Sequence, residues 1–159
     1  MALIADVLTI TKGGAGIVRD GEKTVFVPGV IAGETVEVVL TGRLRSAWQG
    51  KLLRVVNASP LRVEPPCPHY GDCGGCNLQH MSYDEQLRVK EGILADNLRR
   101  IAKFAPASAP EALASPPERY RIKTEFQVRN GAAGFFARES HRVVPISGCR
   151  LLPAAVQDF

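Results

Sequence analysis

The 159-residue chain has no apolar run approaching the roughly 18–20 residues that cross a bilayer, so neither a transmembrane helix nor a membrane partner is expected. Its opening, Met1-Ala-Leu-Ile-Ala-Asp6, meets a charge too soon for the apolar region of a secretory signal. A cytoplasmic location is therefore expected, and persistent disulfides are not. No glycine-rich loop stands between a strand pattern and a helix pattern. Gly13-Gly-Ala-Gly16 joins two β segments, and Asn130-Gly131 reads as a turn. A cofactor-binding α/β domain is thus not visible. The single Cys-x2-Cys pair lacks the βαβ setting of a thioredoxin-like redox site. It also lacks the second pair that would complete the usual zinc knuckles.

What is present is a concentration of cysteine. Three of the 4 cysteines fall in Cys67-Pro-His-Tyr-Gly-Asp-Cys73-Gly-Gly-Cys76, a Cys-x5-Cys-x2-Cys pattern preceded by Pro65-Pro66. The fourth, Cys149, lies far downstream in Ile146-Ser-Gly-Cys149-Arg. Thiolates from one short loop converge easily on a metal or cluster, and glycines let backbone N–H groups approach its sulfides. Three clustered ligands plus one remote ligand suit a [4Fe–4S] cluster. A tetrahedral zinc site built from Cys67, Cys73, Cys76 and either His80 or Cys149 is the rival.

Net charge is +4 with a sequence pI of about 9.0, and the charge is uneven. Residues 1–57 hold 7 Lys/Arg against 5 acids, and residues 119–150 hold 7 against 2, whereas residues 58–118 are net acidic. Two separate basic segments favour a phosphate-bearing partner, although solvated surface cations would give the same count.

Residues 1–57 read as an all-β module of five short strands, hence a small barrel. The strand patterns are Ile4–Thr11, Gly16–Arg19, Lys23–Val27, Glu34–Leu40 and Lys51–Val56, with a type I′ hairpin expected at Asp20-Gly21. Lys12, Arg19, Lys23, Arg43, Arg45, Lys51 and Arg54 could line a basic groove, and Trp48, on an apparent loop, could stack on a base or plug the barrel. Residues 58–66 hold three prolines and form a stiff connector. Ser82-Tyr-Asp-Glu85 is a capping box that opens a helix running to about Lys103, with Tyr83, Leu87, Leu94, Leu98 and Ile101 on one packing stripe. Residues 104–117 are an Ala/Pro-rich linker. Tyr120–Val128 alternates, Asn130-Gly131 turns, Gly134–Arg138 pairs back, and His141–Pro145 starts a third strand leading to Cys149. Arg121, Lys123, Arg129, Arg138 and Arg142 could touch phosphates, while His141 reads as a surface histidine. The expected class is mainly β with one helix (α+β): a small barrel, a cluster-binding loop, a helix and an antiparallel sheet. The expected domains are residues 1–58 and 59–159.

The run from Cys67 through Gly74-Gly-Cys-Asn-Leu-Gln-His80 to Lys90 resembles the cluster segment of the RNA (uracil-5-)-methyltransferases, particularly the 23S rRNA enzymes. Gly13-Gly-Ala-Gly16, Val25-Phe-Val-Pro-Gly29 and Gly33-Glu-Thr-Val-Glu-Val38 resemble TRAM domains, small OB-like barrels that bind RNA. The resemblance covers nearly the whole chain. It implies that Cys67, Cys73, Cys76 and Cys149 ligate a [4Fe–4S] cluster in residues 59–159, and that residues 1–58 form the RNA-binding TRAM barrel. From the basic and aromatic positions themselves, the candidate RNA contacts are Lys12, Arg19, Lys23, Arg43, Arg45, Trp48, Lys51, Arg121, Lys123 and Arg138. Ribosomal RNA is favoured over transfer RNA, because bacterial tRNA enzymes of this family generally lack the cluster motif. Where the family often has Asn this chain has Ile122, so no specific role is carried over to Tyr120-Arg-Ile-Lys123.

Methylating uracil at C5 requires a thiolate to attack C6, methyl transfer from S-adenosylmethionine to C5, and a base to remove the C5 proton. The base must also leave its stack. With all four cysteines committed to iron, no attacking thiolate remains. The resemblance places the catalytic domain and its S-adenosylmethionine site beyond this chain, which is then an N-terminal part, monomeric and inactive alone. Two other classes stay open: a stand-alone RNA-binding module with structural zinc, and a radical S-adenosylmethionine enzyme. The second needs Cys-x3-Cys-x2-Cys, against which Cys67-x5-Cys73 and a fourth cysteine argue.

Overall fold

The computed structural model describes residues 2–156. The chain divides into two compact units. The first holds the residues up to Glu64 together with His80–Ala112; the second holds Pro65–Gln79 and the chain from Leu113 onward.

In the first unit, β1 (Ala2–Asp6), β2 (Thr9–Ile10), β3 (Ala15–Asp20), β4 (Lys23–Pro28), β5 (Thr35–Arg43) and β6 (Trp48–Asn57) form one sheet in the order β1-β5-β6-β4-β3-β2. The pairings are antiparallel except β4 with β6, which is parallel through Val25↔Trp48 and Phe26↔Gln49. The sheet curls, because its two edge strands are consecutive in the chain. At the break between them, the Val7 N–H bonds Glu34 O and the Leu8 N–H bonds Ile17 O, both at 2.8 Å. This break splits the expected Ile4–Thr11 strand and raises the strand number from five to six.

Alternation places Ile10, Val18, Val25, Val27, Val36 and Val38 inside, with Val7, Val30 and Ile31 from the connections. Phe26, on the opposite face of β4, is only half-buried. Gly16 is fixed by packing: a Cβ there would lie 2.3 Å from Val30 Cγ2 and 2.8 Å from Val7 Cγ1. The β3–β4 turn differs from expectation by one residue. Asp20 pairs with Lys23, so the turn residues are Gly21 and Glu22. Gly21 has φ +59°, and Glu22 is not among the described non-glycine residues of positive φ. That is the II′ pattern, with glycine at the first central position.

The connector after β6 is sewn to the residues before the helix. Val63 N–H donates to His80 O at 3.0 Å, and Ser82 N–H donates to Leu61 O at 2.8 Å. Glu34 sits fully buried at this junction. It accepts from Ile31 N (2.8 Å), Ser59 N (3.2 Å), and Arg62 Nε and Nη2 (2.6 Å each), while Arg62 Nη2 also donates to Gly29 O at 2.9 Å. Burial pulls the Glu34 carboxyl upward. Arg62 and the two backbone N–H groups outweigh it and hold the carboxyl below its ordinary range.

Helix α1 (Tyr83–Arg100) starts as expected, with the Ser82 hydroxyl accepting from the Glu85 N–H. It ends before Lys103, which has φ +53°. The packing stripe is corrected in part. No residue of α1 is buried, and Leu94 (49% exposed) and Ile101 (77%) face outward. Only Tyr83, Leu87 and Leu98 of the stripe are half-covered. Residues 104–117 hold no helix or strand.

In the second unit, β7 (Gln127–Arg129), β8 (Ala132–Phe136) and β9 (Val143–Pro145) form an antiparallel sheet in that order. Asn130 and Gly131 join β7 to β8, with φ values of +51° and +76°, as a type I′ turn requires. The strand expected over Tyr120–Val128 is present only from Gln127. Upstream, the Arg119 and Arg121 N–H groups bond Arg150 O and Leu151 O at 3.0 and 2.9 Å, so the segment follows the chain near Cys149 instead of β8. Ile122 is 94% exposed, while Phe126 stacks on Phe135 at 5.1 Å between centroids. A short 3-10 turn, Ala154–Val156, follows buried Leu152. The architecture is mainly β with one helix, an α+β arrangement with an OB-like curled sheet.

Candidate metal centre and nucleic-acid surfaces

The loop from Cys67 to Cys76 folds through local turns. Tyr70 N–H bonds Cys67 O at 3.0 Å, Cys73 N–H bonds His69 O at 2.9 Å, and Gly71 takes φ +94° where a side chain would be strained. Tyr70 OH donates to Asn77 O at 2.9 Å. The loop then lies along the end of β8: Gly74 N–H donates to Phe136 O at 2.9 Å, and Cys73 bridges Ala137. Gly74 must be glycine for this approach, since a Cβ would fall 2.8 Å from Phe136 O. Arg138 Nη2 donates to Cys76 O at 3.3 Å. Cys149 reaches the same place from the other direction, four residues after β9 ends at Pro145.

Cys67, Cys73, Cys76 and Cys149 line one pocket of the second unit, walled by Tyr70, Phe135, Ile146 and Leu151. All four are free thiols and half-buried. Burial pushes the Cys73 thiol up, offset in part by the Gly75 N–H on its sulfur at 3.4 Å, with Cys67, Cys149 and Asp72 adding to the rise. Burial also raises Cys76, against a hydrogen bond from the Gln79 side chain, and the other three cysteines add to it. A raised thiol at Cys73 and Cys76 loses its proton more readily beside a cationic centre, which stabilises the thiolate. Among the described residues, no three His, Cys, Asp or Glu are grouped to hold a single metal ion. His80, the alternative zinc ligand, is buried in the first unit with its Nε2 3.0 Å from Val30 O.

The basic candidates fall in both units. In the first, Trp48 begins β6, a strand position instead of the loop expected. Its ring has Lys23 Nζ 5.8 Å and Arg43 5.7 Å from the centroid, within cation–π range. Arg19 Nη1 donates to Thr24 Oγ1 at 2.7 Å, next to Lys23. Arg45 lies between β5 and β6, Lys12 follows β2, Lys51 stands on β6, and all three are exposed. Arg54, also on β6, donates from Nε to Glu37 at 2.6 Å. In the second unit, Arg121 and Lys123 share an open depression with Thr124, Glu125 and Phe135.

Three features escaped sequence reasoning. One is the buried Glu34–Arg62 pair. The second is the exposed Asp72–Arg142 pair across the cysteine loop. The third is Gln79, whose Oε1 is buried without a hydrogen-bond partner while its side chain bonds Cys76. Glu34 stands one residue before β5, and a second carboxylate, Glu37, follows three residues on, so no local pattern singled it out. The other two join positions that carry no mutual pattern in sequence.

No family model matches the chain. Among curated proteins, it is 38% identical over 159 residues to the 23S rRNA (uracil(1939)-C(5))-methyltransferase RlmD of Legionella pneumophila strain Lens, covering 96% of this chain and 36% of that protein. It is 39% identical over 152 residues to the enzyme of the same name from Shewanella sp. strain W3-18-1, covering 92% of this chain and 34% of that one. Among solved structures, it matches the Pyrococcus abyssi tRNA (uracil-54, C5)-methyltransferase in complex with S-adenosyl-L-homocysteine, with a TM-score of 0.66 and 25% identity over 96% of this chain and 34% of that chain. The chain spans about a third of the length of the relatives it matches. It is homologous, over nearly all of its own length, to the RNA uracil-C5-methyltransferases.

Proposed function

We propose that this chain is the RNA- and cluster-binding part of an S-adenosylmethionine-dependent RNA uracil-C5-methyltransferase acting on 23S rRNA. The observation that carries this reading is the gathering of Cys67, Cys73, Cys76 and Cys149 around one pocket, in a chain whose relatives are named for that reaction. These four thiolates would hold a [4Fe–4S] cluster. The cluster would supply a covalent cross-link between the Cys67–Cys76 loop and the segment after β9. A single zinc ion would draw its thiolates to about 3.8 Å of one another, whereas a cubane accepts a wider spacing.

The chain's own residues would bind and orient RNA. Trp48, with the Lys23 and Arg43 cations over its ring, would give an unstacked base an aromatic surface beside positive charge. Lys12, Arg19, Arg45 and Lys51 add cations on the same unit, and Arg121 and Lys123 add cations on the second. Arg138 is already engaged with the Cys76 carbonyl, so its share in phosphate binding is secondary. The attacking thiolate, the proton-abstracting base and the S-adenosylmethionine site lie outside this chain. It therefore binds RNA without methylating it.

Anaerobic purification followed by metal analysis tests the reading. Brown protein carrying iron and acid-labile sulfide supports it. Zinc without sulfide would instead support a stand-alone RNA-binding module with a structural zinc site. Titration with 23S rRNA fragments and tRNA tests the substrate. Tighter binding to the ribosomal fragment, weakening steeply with salt, is expected.

A further inference from the structure

We infer that the β8–β9 hairpin is a template for the cysteine loop, with Asp72 and Arg142 as the positioning pair that keeps the loop in its ligating shape. The inference rests on the cluster reading above.

Three contacts join the loop to the β8–β9 hairpin and the segment that follows it, without using any cysteine side chain. The first is the Gly74 N–H to Phe136 O bond, which aligns the loop with the end of β8. The second is the fork of Arg142 on Asp72: Nη1 lies 3.4 Å from Oδ2, and Nη2 bonds Oδ1. The third is His69, whose Nε2 is 3.4 Å from both the N and the Oγ of Ser147. Their positions matter. Asp72 immediately precedes Cys73, and Ser147 stands two residues before Cys149. The contacts thus fix the chain on either side of the ligand set.

Arg142 is held in turn by the hairpin. Its N–H donates to Ser140 Oγ at 3.0 Å, and its carbonyl accepts from the Ala137 N–H at 2.8 Å. With the Arg142 backbone fixed in the turn, only its side chain has to be ordered on pairing, and a two-pronged carboxylate contact fixes direction as well as distance. Exposed ion pairs are often energetically neutral. The informative readout is therefore cluster retention, more than overall stability.

The test uses the anaerobically purified chain and follows the rate at which its iron–sulfur absorbance bleaches after an iron chelator is added. Asp72→Arg and Arg142→Asp each set like charges together and are expected to bleach roughly three- to tenfold faster at low salt. The double swap should return to within about twofold of wild type, and the single-variant effect should shrink at high salt. Melting followed by fluorescence of Trp48, in the other unit, should not move. Gly74→Ala, which cannot keep the backbone approach, should lose most of its iron on purification. Single variants that bleach at the wild-type rate, or a swap no better than either single, would overturn the inference. A wild-type chain carrying no iron and sulfide would instead remove the cluster reading on which it stands.

Discussion

Replacing Arg62 by Ala should destabilise the first unit sharply and reverse the way its stability responds to acid. Glu34 is fully buried and accepts from two backbone N–H groups and two guanidinium nitrogens. Removing one partner of a buried pair costs about 3–5 kcal/mol. The Arg62 side chain keeps 23% exposure, which brings the expected loss down to about 2–3 kcal/mol. For a unit of this size each kcal/mol moves the midpoint by roughly 4–8 °C, so a fall of roughly 10–20 °C follows. In the wild type, Glu34 is held below its ordinary value of 4.5, so its contribution is complete above that value and is lost as pH falls through the lower folded value. Without Arg62, burial is opposed only by the Ile31 and Ser59 N–H groups, and the carboxyl should move above 4.5. The variant then carries an uncompensated charge at neutral pH and gains stability relative to wild type on acidification from about pH 7 to pH 5. Fluorescence of the single tryptophan, Trp48, reports this unit directly. Melting within a few degrees of wild type, or an unchanged difference between the two proteins across that pH range, would refute the reasoning.

Other outcomes follow from the same geometry. Gly16→Ala, whose Cβ would press on Val30 and Val7, should cost about 1–3 kcal/mol in denaturant unfolding. Leu94→Lys and Ile101→Lys should each stay within about 0.5 kcal/mol of wild type by the same assay, because both side chains face outward. Trp48→Ala should weaken single-stranded RNA binding roughly tenfold in a fluorescence-polarisation titration, and Lys23→Ala should lower the slope of log affinity against log salt by about one.

The sequence was most legible where a local rule has no competitor. Val25, Val27, Val36 and Val38 alternate and are inside, Ser82 caps α1, and Asn130-Gly131 makes the turn its φ values demand. It was less legible where a distant partner decides. Tyr120–Phe126 alternates as a strand should, yet its start bonds Arg150 and Leu151, which no periodicity announces. The stripe on α1 has the spacing of a packing face, but Leu94 and Ile101 meet no core. Trp48, flanked by Arg45 and Lys51, reads as a loop residue, whereas β6 begins at Trp48 and Gly50 is needed inside: a Cβ there would lie 2.9 Å from Val25 Cγ1. The four cysteines could be grouped as candidates because each carries chemistry by itself, and the fold brings them to one pocket. Asp72 and Arg142 could not be, since a charge pair separated by about seventy residues has no signature until the chain folds.

The most direct measurement of the central claim is the iron and acid-labile sulfide content of Cys149→Ser beside wild type, both purified anaerobically. The account predicts about four iron and four sulfide per wild-type chain and a variant that retains little of either after desalting. A variant holding the full wild-type complement would contradict it, because Cys149 would then be no ligand.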